Sequence, residues 1–256
     1  MSIDVGLTPL LTFILVSVRI LAFLIIAPPF SSKSVPLNVR AMIAFAVALP
    51  IFPHLVVDTV ITGLPGFIGA ITWQLLTGLT LGVLVLALFT AVQAAGEFVD
   101  LFSMLAMATM LDPVSNTNSS IFGRIYYLIG TTLLFATGGH LLLLRGLLTS
   151  FQIVPAGEMS LGRLAQAMGS NLDRLVISAL EISGPIVAVL FLTDLALGLV
   201  SRAVPSLNIF QLSFPVKTLL TVSLATLAIA FMPAAIDTGL SQILRQFGPV
   251  TRMLGG

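Results

Sequence analysis

Arg19, Glu181, Asp194 and Lys217 each stand inside a long apolar stretch of the chain. An ionisable side chain in such surroundings is costly to keep and normally has either a partner or a function. Two chemistries fit. The groups can line a proton or ion pathway, or they can form ion pairs between helices and contacts between subunits. No tight acidic cluster or histidine relay accompanies them, so ion pairing is the simpler reading, with the pairing order left open.

A second concentration lies in the segment AAGEFVDLFSMLAMATMLDPVSNTNSSIFGR. Glu97, Asp100 and Asp112 surround an apolar core that carries Phe102, Met104, Met107 and Met110. The methionines recur every three residues, which on a helix keeps them near one face. Asp112-Pro113 then breaks the chain into a polar stretch from Ser115 to Ser120. Methionine is unbranched and soft, so it seals against surfaces of varied shape. These side chains either close a pore that yields to a passing polypeptide or fill a gap between helices. From spacing alone, gap filling is the simpler account.

Other chemistries are absent. The chain has no cysteine, and its two histidines, His54 and His140, are far apart; thiolate chemistry is excluded and a histidine-based metal site is not expected. There is no phosphate-binding loop, HExxH, nucleophile elbow or dinucleotide fingerprint. The 11 basic and 10 acidic residues nearly balance, and the basic ones are scattered singly, so no nucleic-acid footprint exists. The expectation is a non-enzymatic protein without metal or cofactor.

The elements that must position these residues are membrane helices. Of the 256 residues 57% are hydrophobic and 8% charged, against about 25% charged in soluble domains. The fold class expected is all-α and membrane-integral, because lipid supplies no partners for open backbone groups. Six apolar stretches stand out: Val5–Ile26, Val39–Val57, Phe67–Ala95, Ile121–Leu144, Leu175–Val200 and Leu212–Ile236. The first lacks the positive flank of a secretory signal and is expected to be a retained membrane segment.

A regular six-pass bundle fits poorly. Only 11 residues run unbroken before Pro50, about 16 Å of helix against a hydrocarbon core about 30 Å thick. The 29 residues from Phe67 to Ala95 reach about 44 Å. Arg145, Arg163, Arg174, Arg245 and Arg252 would face one side, and Lys33, Arg40, Arg124, Arg202 and Lys217 the other, so charge bias sets no orientation. Gly78-x-x-x-Gly82 is a spacing that allows close helix approach. A small-solute secondary transporter with discontinuous helices is the alternative class, although matching broken helices in two halves are not found.

Several motifs together resemble one family. AAGEFVD followed by MLDPVSNTNSS, then GGHLLLLRGLLTSFQIVP, then RAVPSLNIFQLSFPVK are similar, in order and spacing, to the FliR family of type III export-gate proteins, flagellar and virulence-associated. Arg19, Pro28-Pro29 and Arg40 match that family's first hairpin, so the resemblance covers nearly the whole chain. It implies a bacterial inner-membrane protein of the flagellar basal body, assembled with FliP and FliQ and beside FlhB. The assembly would pass unfolded flagellar proteins. It implies tilted helices in a hetero-oligomeric cone, a FliP-like part over residues 1–170 and a FliQ-like hairpin over residues 171–256. It also assigns the channel plug to about 102–120. On that basis Phe102, Met104, Met107, Met110, Asp112 and Pro113 are expected to gate the channel. Arg19, Glu97, Asp100, Glu181, Asp194 and Lys217 are then expected as buried charges or subunit contacts.

Overall fold

The computed structural model describes residues 8–28, 30–32, 35–54, 63–106, 120–153, 161–206 and 208–255. Among these the chain is helical, without strands. We number the α-helices α1 (Thr8–Ile26), α2 (Leu37–Ala48), α3 (Gly63–Phe102), α4 (Ile121–Ala136), α5 (Gly139–Ile153), α6 (Leu161–Ala203) and α7 (Ile209–Gly255). The protein is an all-α membrane protein.

Among the described residues, three helices are long and apolar enough to cross a bilayer: Pro9–Ile26, Gly63–Phe102 and Ile177–Ala203. The number rises to five if each of two bent helix pairs counts as one crossing. The 12 residues of α2 reach about 18 Å and cannot span. The 40 residues of α3 reach about 60 Å, twice the hydrocarbon thickness. The unequal lengths read from the sequence are therefore real, and more extreme than expected. Gly63 to Gly66, expected as a gap, forms the first turn of α3, where Pro65 is tolerated because its missing N–H lies among the unpaired donors of a helix start.

The expected single stretch from Ile121 to Leu144 is corrected. It is two helices, α4 and α5, separated by a break at Thr137-Gly138. Thr137 caps α4 through its N–H to the Leu133 carbonyl, and Gly138 follows at φ +74°. That left-handed conformation suits glycine because it has no Cβ to clash, and it ends the helix. Pro205 falls in the turn between α6 and α7, and Asn208 opens α7 by accepting from the Gln211 N–H at 3.4 Å.

The chain forms two compact units that interleave in sequence. The first comprises Met1–Leu88, Gly138–Leu172 and Leu240–Gly256; the second comprises Phe89–Thr137 and Asp173–Gly239. In the first, Phe23 and Ile20 of α1 and Leu81 and Val85 of α3 are fully enclosed. The glycine spacing explains how closely α1 and α3 approach. A Cβ on Gly78 would lie 2.3 Å from the Arg19 carbonyl oxygen, and one on Gly82 would lie 3.1 Å from Ile26 Cβ. Phe13 stacks on Phe45 at 5.9 Å, holding α2 to α1. In the second unit Val92, Val99, Phe122, Tyr126, Leu190 and Ile236 form the centre of a core drawn from α3, α4, α6 and α7.

Candidate functional site

Within the first unit, Arg19 is completely buried. Its Nε–H donates to Gln74 Oε1 at 2.6 Å, and an Nη1–H donates to Ser150 Oγ at 3.2 Å. Its guanidinium carbon sits 4.2 Å from the centroid of the Phe151 ring. The cation thus ties α1 to α3 and α5 through neutral oxygens and a π face, which the planar guanidinium suits. Sequence reasoning singled out Arg19 but not Gln74, Ser150 or Phe151, which carry no mark of their own in the sequence.

Within the second unit, three of the singled-out positions meet. Lys217 of α7 is buried, and its Nζ lies 2.5 Å from Asp194 Oδ1 on α6. The same ammonium donates to the Phe102 carbonyl at the end of α3, at 3.0 Å. The Asp194 side chain is 45% exposed, so the pair sits at the edge of the core.

Asp100 is buried at the other side of this helix end. Its Oδ2 accepts from the Ser120 hydroxyl and from the Phe122 N–H, the latter at 2.9 Å. Ser120 Oγ in turn accepts from the Gly123 N–H at 2.8 Å. An anionic carboxylate at a helix start is stabilised by the unpaired N–H groups and the positive end of the dipole. Asp100 therefore anchors the start of α4 to the last turn of α3. Close backbone approach makes this possible: a Cβ on Gly96 would lie 2.5 Å from the Gly123 nitrogen. Ser120 before an apolar run is a helix-start signal that the sequence did contain.

The other singled-out positions are placed as follows. Glu97 is exposed and accepts from Gln93 Nε2 at 2.9 Å, one turn earlier on α3. Glu181 is exposed on α6. Phe102 packs against the second core, and Met104 follows it at φ +67°. Met107, Met110, Asp112 and Pro113 lie outside the described residues. Among those that are described, no group of His, Cys, Asp and Glu could hold a metal ion.

The comparison with known families matches residues 10–243 to the family described as bacterial export proteins, family 1. The chain belongs to that family. Among the relatives of this export protein is the flagellar biosynthetic protein FliR of Bacillus subtilis (strain 168), 33% identical over 80% of this chain and 81% of that protein. FliR of Escherichia coli (strain K12) is 33% identical over 84% of this chain and 82% of its own length. The secretion system apparatus protein SsaT of Salmonella typhimurium is 31% identical over 64% of each. The export-family match thus runs from α1 into α7 and takes in both sites described above.

Proposed function

We propose that this chain is a structural and gating subunit of the flagellar type III export gate, passing unfolded flagellar proteins across the bacterial inner membrane at the basal body. In this reading it assembles with FliP and FliQ, beside FlhB, in a tilted hetero-oligomeric cone. Residues 1–170 supply a FliP-like part and residues 171–256 a FliQ-like hairpin. It is not an enzyme, and the energy for transport is supplied elsewhere in the apparatus. The flagellar names of its relatives support the assignment.

The observation that carries the assembly is the outward face of α6. In an 18-residue window of the span Ile177–Ala203 only 17% is buried within the chain, against 56% in the corresponding window of α3. At 3.6 residues per turn, Ala179, Ser183, Ile186 and Leu190 point inward. Glu181 then stands at the centre of the opposite, apolar stripe with Ile177, Phe191, Leu195 and Leu199. A carboxylate facing hydrocarbon costs about 2.5–3.5 kcal/mol at the centre of a span and less near its start, where Glu181 lies. Covering the stripe with a partner helix that offers a donor removes that cost, and Glu181 and Glu97 are the proposed subunit contacts.

The segment from Phe102 to Ser120 is proposed as the plug, with Met104, Met107 and Met110 sealing the channel. Deleting residues 106–118 is expected to let small ions leak through the assembled gate. An assembled mutant complex with unchanged membrane permeability would refute the plug. Loss of the whole chain should abolish secretion of flagellar subunits, and normal secretion without it would refute the export role itself.

A further inference from the structure

The last four carbonyls of a helix have no partner inside it, and in α3 all four have an identifiable donor. Val99 O accepts from the Ser103 N–H at 2.9 Å, and Leu101 O from the Met104 N–H at 3.4 Å. Asp100 O accepts from the Ser103 hydroxyl at 3.1 Å. Only the fourth, Phe102 O, looks beyond its own turn, to Lys217, 115 residues away in sequence.

This stop is not built from a usual stop sequence. The left-handed residue that ends many helices is normally glycine. Here it is Met104, at φ +67°. A side chain in that conformation costs about 1–2 kcal/mol, and such a conformation persists only where its surroundings enforce it. Among the described residues, the buried Ser103 hydroxyl links the Asp100 carbonyl to the Leu105 N–H, Phe102 and Leu105 pack against the core, and Lys217 holds the Phe102 carbonyl from another helix. An ammonium on the last carbonyl also meets the negative end of the helix dipole, which favours a cation there.

We propose that Lys217 is a positioning residue that fixes where α3 ends: its ammonium caps the Phe102 carbonyl and so holds the left-handed turn at Met104, while Asp194, at the exposed edge, serves only as its counter-charge. The alternative is a simple ion pair joining α6 to α7, in which the carbonyl contact is incidental. The two differ in what repairs a broken site. If Lys217 fixes the stop, placing glycine at 104 lets the turn form without it. A bare ion pair gains nothing from that change. The proposal stands on the geometry of the second unit and not on the export role, so either can fail alone.

The test is amide hydrogen exchange at Ser103 and Met104, in the full chain purified from membranes with whatever partners it retains. Lys217→Met should raise exchange there by about tenfold or more, the loss of one charge-assisted hydrogen bond. Asp194→Asn, which leaves the lysine on its carbonyl, should change it less than about twofold. Adding Met104→Gly to Lys217→Met should restore most of the protection. The reversed pair Asp194→Lys with Lys217→Asp should not, because it sets a carboxylate against the carbonyl. If Lys217→Met fails to accumulate, recovery of accumulation on adding Met104→Gly is the readout. Restoration by the reversed pair, equal damage from Asp194→Asn, or no rescue by Met104→Gly would each overturn the proposal.

Discussion

Arg19 and Lys217 solve one problem in two ways. Each is a cation buried in an apolar unit, where an uncompensated charge is strongly unfavourable. Arg19 is held between the Gln74 and Ser150 oxygens and the Phe151 ring, in a core that two glycines draw tight. Lys217 instead meets a half-exposed carboxylate and the end of a neighbouring helix. The first arrangement depends on the geometry of a planar, forked group and suits a permanent joint between helices. The second depends on charge and direction, sits at an open edge, and suits a place where a chain segment must leave the core.

The largest effect expected lies in the packing of the first region. Gly78→Ala would put a methyl group 2.3 Å from the Arg19 carbonyl oxygen and is expected to cost about 3 kcal/mol. Gly69→Ala, on the same helix with nothing within 4 Å, should be neutral or stabilising by about 0.5–1 kcal/mol. Thermal unfolding of the two variants in detergent checks this contrast, and equal losses would mean that α1 and α3 are not in close contact at Gly78.

Exchanging the two cations sharpens the difference. Arg19→Lys cannot keep both hydrogen bonds and the ring stacking, and should lose about 2 kcal/mol through the stranded polar groups. Lys217→Arg keeps a charge that can reach both Asp194 and the carbonyl, and should lose less than about 1 kcal/mol. The same unfolding assay measures both. A conservative change that proves as harmful at 217 as at 19 would erase the distinction.

Smaller still is the cap at the start of α4. Asp100→Ala should cost about 1 kcal/mol, seen as faster exchange of the Phe122 and Gly123 amides with α5 unaffected. Glu181→Leu should leave the unfolding temperature of the chain almost unchanged. Its effect should appear as weaker retention of partner chains during purification, because the residue faces outward.

Much of this architecture was legible in the sequence, and the exceptions have physical causes. Composition and run lengths gave the helical membrane class, the short α2 and the overlong α3, since these depend only on how long the chain stays apolar. Gly78 and Gly82 have a spacing that often arises by chance in membrane helices, and it is the contact with α1 that gives it meaning. The break at Gly138 had a local mark in Gly138-Gly139-His140, which reads as a helix end, but it lay inside a stretch whose hydropathy alone reads as one helix. Arg19 and Lys217 stood out as charges, but their partners did not. Gln74 and Ser150 look like ordinary polar residues, and the Phe102 partner is a backbone oxygen that no side-chain pattern can reveal. Gly96 and Gly123 are separated by a polar stretch, so their contact exists only once α3 and α4 fold back together.

The most direct test of the export reading is the native mass of the complex extracted in mild detergent by a tag on this chain. A minority subunit within a large hetero-oligomer, together with FliP-like and FliQ-like chains, is the expected result. A stable monomer or homo-oligomer that binds a small solute would contradict it.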